Sequence, residues 1–284
     1  MLYFKKLQRL LMNNDLEKAP LGQNSSYKFK YDPTILFPIP RSLNRNKLKL
    51  NNSLPFSGVD LWNSYELSWL NPKGKPMVAL ALFTIDCHSA NIIESKSFKL
   101  YLNSFNNTYF NDPLEVHKIL TKDLSNSAEG NIAVELIDLK NTDYFSNETF
   151  SGSNLDDLDI ETDLYSPAPL LLKSGDEIVT EELYSNLLKS NCLKTHQPDW
   201  GTVYIKYKGR KIDHEGLLKY IISYRNHNDF HEHCVEQIYC DILNRCQPDK
   251  LTVYARYTRR GGLDINPFRT NCGETPKNIK LIRQ

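Results

Sequence analysis

No apolar run in this 284-residue chain approaches the ~18 residues that a membrane-spanning helix requires. Spanning a bilayer with a helix is therefore not expected. The chain also has little charge of either sign in excess. Its 35 Lys and Arg stand against 34 Asp and Glu, for a net charge of +1, which argues against a general polyanion binder or a highly charged disordered tail. An export signal is missing as well. The apolar positions of Met1–Met12 are interrupted by Lys5, Lys6 and Arg9, and no small-residue cleavage site follows. That stretch reads as a short helical extension. The six cysteines, Cys87, Cys192, Cys234, Cys240, Cys246 and Cys272, form no compact framework. Together these absences point to a reducing, cytoplasmic setting with free thiols. Neither a Gly-x-Gly-x-x-Gly turn nor a Gly-Lys-Ser/Thr phosphate loop occurs. A dinucleotide would have to be gripped by other means.

The composition, 40% hydrophobic and 24% charged, is that of a globular protein, and the length suits one large domain or two modest ones. Residues 1–55 carry Pro33, Pro38 and Pro40 and read as arm and loop. Periodic pattern then begins. Val78–Ile85 reads as a strand. Asp112, Pro113 and Glu115 open a helix, with Asp as N-cap, Pro in the first turn and Glu at the third position. Ile132–Leu136 reads as a second strand. The order then recurs: Val203, Ile205 and Tyr207 alternate as a half-buried strand does, Leu217–Ile222 is helical, and Asp229 to Glu232 open another helix through a capping box. Leu251, Val253 and Ala255 form a closing strand.

The correspondence extends to side chains. Phe98–Phe110 aligns with Leu218–Phe230 at a shift of 120 positions, and Val116, Ile119, Ile132 and Val134 align with Val235, Ile238, Leu251 and Val253 at 119. This predicts two copies of one α+β module: a first over 56–145, a second over 181–284, and between them an acidic, Ser- and Pro-containing linker over 146–180.

Several residues could carry chemistry, each with a plainer alternative. His231-Glu-His-Cys234 suggests a metal, but Val235 breaks the His-Glu-x-x-His spacing, and Cys234, Cys240 and Cys246 do not share a helix face; no metal is expected. Cys192 could be a small buried hydrophobe. Its neighbours Lys189, Asn191, Lys194 and His196 instead favour a thiolate. Asp199 lies in Gln197-Pro-Asp-Trp-Gly201, a turn signal, yet with Cys192 it would make a nucleophile and acid pair. The stretches Lys206–Lys211 and Tyr254–Gly262 mix cations with Tyr. They could bind nucleic acid, hold cofactor phosphates, or simply be solvated faces.

Ile93-Glu94-Ser95-Lys96-Ser97-Phe98-Lys99-Leu100-Tyr101 resembles the signature of the NADPH-dependent 7-cyano-7-deazaguanine reductases. Leu187–Gly201 is similar to that family's catalytic segment. Phe230-His231-Glu232, Arg259–Pro267, Pro40–Arg45 and Asp60-Leu-Trp62 also match, so the likeness covers nearly the whole chain from about residue 20. The long, two-module form is the best fit. The resemblance implies tandem tunnelling-fold modules, antiparallel sheets with helices packed on one face, in a homodimer. It implies a queuosine-pathway enzyme of tRNA modification that reduces the nitrile to an amine with NADPH, with neither nucleic acid nor membrane as a direct partner. Cys192 matches the nucleophile that forms a thioimide, and Asp199 the proton donor. Ile93, Glu94, Ser95, His231 and Glu232 match substrate positions, and Ser95, Lys96, Arg260 and Gly261 match cofactor positions. A zinc-dependent tunnelling-fold enzyme acting on a pterin or GTP, and an RNA-binding module, are the competing expectations.

Overall fold

The computed structural model describes residues 28, 30–50, 53–141, 144–145 and 148–284. The extension expected over residues 1–12 lies outside them. The chain divides into two compact units, one comprising the described residues up to 50 with Ser64–Lys140, the other those of 53–63 with Asn141–Gln284.

In the first unit, β1 (Pro38–Pro40) leads into a single turn, α1 (Ser42–Arg45). The second part of β2 (Ser57–Leu70) lies beside β3 (Pro76–Asp86). Strand β4 (Asn91–Ile93) pairs antiparallel with β1. Helices α2 (Ser95–Asn103) and α3 (Pro113–Ala128) follow, and then β5 (Ile132–Ile137), antiparallel to β3. Alternation explains β3: Ala79, Ala81, Phe83 and Ile85 point inward while their neighbours do not. Phe83 meets Phe98 of α2 edge to face at 5.0 Å. As the sequence predicts, Asp112 caps α3 by accepting from the Glu115 amide at 2.8 Å. Val116, Leu120, Leu124 and Ala128 make its buried stripe.

The second unit is dominated by a long hairpin. Strand β6 (Ser153–Asn154) adds in parallel to the edge of β7 (Ser174–Asn191), which pairs antiparallel with β8 (Pro198–Ile212). Helices α4 (His214–Ile222) and α5 (His231–Cys246) come next, then β9 (Lys250–Tyr257) and β10 (Leu263–Thr270). Strands β8, β9 and β10 pair antiparallel in turn, and β10 neighbours the first part of β2. Helix α5 packs on β9 and β10. Antiparallel sheet with helices on it is the α+β, tunnelling-fold pattern.

The internal repeat recurs in atoms, but one position off the register read from the sequence: Tyr101 and Ser104 correspond to Tyr220 and Ser223, and Asp123 and Glu129 to Asp241 and Gln247. In the first unit the Tyr101 hydroxyl donates to Asp123 at 2.7 Å, and Ser104 Oγ donates to the Tyr101 carbonyl at 2.6 Å. In the second, Tyr220 donates to Asp241 at 2.6 Å and Ser223 to the Tyr220 carbonyl at 2.6 Å. Helices α3 and α5 both end on a left-handed residue, Glu129 at φ 49° and Gln247 at φ 50°.

Several expectations about the elements differ from what is seen. Within the stretch read as arm, β1 pairs with β4, and Arg41 and Arg45 are 2% and 8% exposed. Ser174–Thr180, assigned to the linker, begins β7. Gln197–Gly201 is not a turn, because β8 starts at Pro198 and the reversal lies in 192–197. Strand β9 does not close the fold, since β10 follows it. Strand β10 is obscure in sequence because it is buried along its whole length and mixes Pro267 with Asp264, Asn266 and Arg269. A buried network makes that tolerable. Arg269, with no exposed side-chain surface, lies 2.8 Å from Asp60 and 2.9 Å from Glu236.

Candidate active site

Strands β7 and β8 set Ser190 opposite Asp199 and Asn191 opposite Pro198. The reversal between them is closed by backbone hydrogen bonds. The Cys192 amide donates to the Gln197 carbonyl at 2.9 Å, and the His196 amide to the Cys192 carbonyl at 3.1 Å. His196 takes the left-handed conformation, at φ 56°. Cys192 is thus the first residue of a tight turn and Asp199 the second residue of the strand leaving it. They lie at one end of one hairpin, 5% and 7% exposed. Two residues close to Cys192 in sequence are engaged elsewhere: Lys189 donates to Asn191 Oδ1 and to the Arg225 carbonyl, both at 2.6 Å, and His196 Nδ1 lies 3.3 Å from Asn228 Oδ1.

Each oxygen of Asp199 faces a different partner. His231 Nε2 lies 3.4 Å from Oδ2, and Arg260 Nη1 lies 3.2 Å from Oδ1. Arg260 Nη1 also donates to Gln197 Oε1 at 3.1 Å. The β9–β10 reversal presents that arginine. Its amide donates to the Leu263 carbonyl at 2.8 Å, and Gly261 and Gly262 between them have φ of 60° and 72°. A two-residue hairpin with both central residues at positive φ requires such residues. The Gly-Gly pair, which could have served close approach to phosphate, thus has a turn to make in any case.

His231 is the first residue of α5. Its ring stacks on Tyr257, centroids 3.8 Å apart and planes within 3°. Its Nδ1 is buried without a hydrogen-bond partner. Glu232, in the same turn, is 2% exposed. The expected capping box is absent: the N-cap is Phe230. Asp229 instead accepts from the Phe230 amide and pairs with His233 Nδ1, each at 2.8 Å, with His227 Nε2 3.7 Å away. Burial would raise the Asp229 pKa, but the charge of His233 and hydrogen bonds from His227, His233 and the Phe230 amide outweigh it and hold the carboxyl well below its ordinary range.

A depressed carboxyl pKa stabilises the fold above the unfolded-state value, and that stabilisation is lost as pH falls through the folded-state value. Asp229→Asn is therefore expected to lower the urea midpoint at pH 7. The gap from the parent should close as pH drops below 3.8, the ordinary aspartate value. An equal gap at pH 7 and at pH 3 would contradict this assignment.

The signature residues are contiguous in the first unit. Ile93 ends β4 at 2% exposure, and Glu94, fully buried, caps α2 by accepting from the Lys96 amide at 2.7 Å and the Ser97 amide at 2.8 Å. Burial pushes the Glu94 carboxyl up, opposed by those two amides and by Lys99 and Lys96. Ser95 and Lys96 are half-buried in the first turn of α2. Glutamate is not among the usual N-cap residues, so nothing in the sequence marked the capping role of Glu94.

Among the described residues, the ligand-type side chains gathered in a group of three are Asp86, Cys87 and His88; His231, His233 and Cys234 form no such group. The basic stretches are committed within the fold only in part, since Lys208, Arg210, Lys211 and Arg259 are exposed. Lys206 reaches Glu274 at 2.8 Å and Glu182 at 3.5 Å, and Arg256, 1% exposed, donates to Gln284, Tyr254 and Asn278. Sequence reasoning missed Tyr257 and Gln197 as neighbours of the site. Nothing in their spacing marks them, since each depends on strand pairing.

Residues 27–136 match the family model described as nitrile reductase, 7-cyano-7-deazaguanine-reductase N-term, and residues 198–276 match that of QueF-like protein. The NADPH-dependent 7-cyano-7-deazaguanine reductase of Bordetella avium is 55% identical over 95% of this chain and 99% of its own length. The protein of that name from Legionella pneumophila is 53% identical over 97% and 98%. That from Cupriavidus metallidurans is 55% identical over 94% and 99%.

Proposed function

The chain belongs to the NADPH-dependent 7-cyano-7-deazaguanine reductase family, and from that premise we propose that it reduces the nitrile of 7-cyano-7-deazaguanine to the primary amine of 7-aminomethyl-7-deazaguanine by way of a thioimide on Cys192. The observation that most supports this reading is the hairpin end on which Cys192 opens the turn and Asp199, flanked by His231 and Arg260, begins the return strand.

A free nitrile is a poor hydride acceptor. Addition of the Cys192 sulfur to the nitrile carbon, with a proton going to nitrogen, gives a thioimide that accepts hydride far more readily. Asp199 is the proton donor to that nitrogen, with His231 beside it. A hydride to the thioimide carbon gives a sulfur-bound tetrahedral adduct. Its collapse breaks the carbon–sulfur bond, returns the sulfur to Cys192 and leaves an imine. A second hydride and a proton complete the amine. Shielding of the site keeps water from the imine.

Ile93, Glu94, Ser95, His231 and Glu232 are the substrate residues. Carboxylates suit the donor-rich edge of a deazaguanine. The residues at cofactor positions fit a dinucleotide phosphate: Lys96 and Arg260 are cations with part of their side chains exposed, and Gly261 is an exposed turn residue. NADPH supplies the hydride at each of the two reductions. The signature lies in the unit that holds Ser64–Lys140 and the nucleophile in the unit that holds Asn141–Gln284. The protein works as a cytoplasmic homodimer in queuosine tRNA modification.

Two hydrides per nitrile demand a fixed ratio. Absorbance loss at 340 nm against amine formed should give two NADPH consumed per product. A ratio of one, with aldehyde released, or no oxidation in the presence of the nitrile would overturn the reading.

A further inference from the structure

Gly201 lies on β8, directly opposite Tyr257 of β9. Its backbone is not in the left-handed region that favours glycine; the requirement is space. A Cβ at this position would stand 3.1 Å from Cδ1 and 3.3 Å from Cε1 of the Tyr257 ring, and 3.4 Å from the Arg256 carbonyl. Most residue pairs do not come so close, so a side chain here would press on the ring. Tyr257 itself has no exposed surface. Its amide donates to Asn266 Oδ1 at 3.1 Å, and its carbonyl accepts from Gln284 Nε2 at 3.0 Å. The backbone of Tyr257 is thus fixed by the strand, and its buried ring carries the His231 imidazole in parallel contact at 3.8 Å.

His231 needs such support. It is the first residue of its helix, where a side chain has few neighbours from its own element. Its Nδ1 makes no hydrogen bond that would set the ring plane. The contact that remains on the imidazole edge is the one being positioned, Nε2 to Asp199 at 3.4 Å.

We propose that Tyr257, seated in the space left by Gly201, is a positioning residue that holds the His231 imidazole edge against Asp199. The proposal rests on the reading above, in which that histidine and aspartate manage the proton at the nitrile nitrogen. It also gives the Asp-Trp-Gly sequence after the turn a use: the aspartate faces the chemistry, and the glycine two residues on makes room for the ring that orients its partner.

The test is steady-state kinetics with the cyano base and NADPH on the full-length protein, for Tyr257→Leu, Tyr257→Phe and Gly201→Ala, and for Tyr257→Leu combined with His231→Ala. Loss of the flat support should lower kcat by about tenfold, on the scale that sub-ångström misplacement of a catalytic group produces, with KM for the nitrile changed less than about threefold. Tyr257→Phe keeps the ring and should keep at least about half of kcat. Gly201→Ala shifts the ring without removing it and should lose about threefold in kcat with KM held. In the His231→Ala background the leucine change should add less than about twofold, because the group being positioned is gone.

A kcat for Tyr257→Leu equal to the parent, a Tyr257→Phe as slow as the leucine variant, or an undiminished leucine effect without His231 would each overturn the proposal. Should Tyr257→Leu not fold, the Gly201→Ala comparison with and without His231 decides by the same criterion. An inactive parent protein would instead overturn the reductase reading on which the positioning role depends, so the two failures are told apart.

Discussion

Cys192→Ala is expected to lower nitrile reduction by at least about 10⁴-fold, a loss of roughly 5.5 kcal/mol of transition-state stabilisation. The size follows from the chemistry. Without the sulfur the remaining groups must assist hydride addition to an unactivated carbon–nitrogen triple bond, and no neighbouring side chain replaces the nucleophile. The fold should survive the change. Both hydrogen bonds that close the turn use backbone atoms of residue 192, and alanine removes a single buried atom. Thermal unfolding of the variant within a few degrees of the parent, together with product formation at the detection limit, is the expected pair of results. A kcat within tenfold of the parent would remove Cys192 from the chemistry.

The second large effect falls on Asp199. Asp199→Asn keeps the shape of the side chain and a carbonyl oxygen toward one partner, but it can neither supply nor take the proton between His231 and Arg260. A positioned acid contributes about 10²–10⁴-fold, so kcat should fall by about 10²–10³-fold, or ~3–4 kcal/mol. Binding of the nitrile compared in a Cys192→Ala background, where no adduct forms, should change far less, about threefold at most. The contrast identifies the lost group as one that acts after binding. Equal losses in kcat and affinity would make Asp199 a binding residue, and an unchanged kcat would leave it without the assigned role.

Much of this molecule was legible in its letters, and the reasons are physical. Period-two alternation at Val203, Ile205 and Tyr207 marks a strand with one face on the core, and the structure places all three inward. Asp112 with Pro113 announces α3 because an N-cap oxygen and a proline each suit one specific position. That a module recurs was legible from its order of elements, but its register was not: the Tyr101–Asp123 and Tyr220–Asp241 pairs correspond one position away from the alignment read off the letters. Strand β10 was not legible, because its charged residues are neutralised by partners distant in sequence: Arg269 by Asp60 and Glu236. Gln197–Gly201 was misread for a related reason. Pro, Asp and Gly favour a turn locally, but Pro198 starts an edge of regular pairing, Asp199 is held by residues from α5 and from the β9–β10 reversal, and Gly201 is needed for space. The site shows the same division. Residue types point to Cys192 and Asp199, whereas the stacking of His231 on Tyr257 emerges only when β9 and α5 are brought together.

Capture of the nitrile by sulfur is the step from which the remaining chemistry follows, and addition to a triple bond expels nothing. Intact-protein mass spectrometry after mixing the protein with 7-cyano-7-deazaguanine, cofactor omitted, should therefore show a gain of one whole substrate molecule per chain, and peptide mapping should locate it on Cys192. A protein mass that stays unchanged under saturating nitrile, or a label carried by any other residue, would contradict the account.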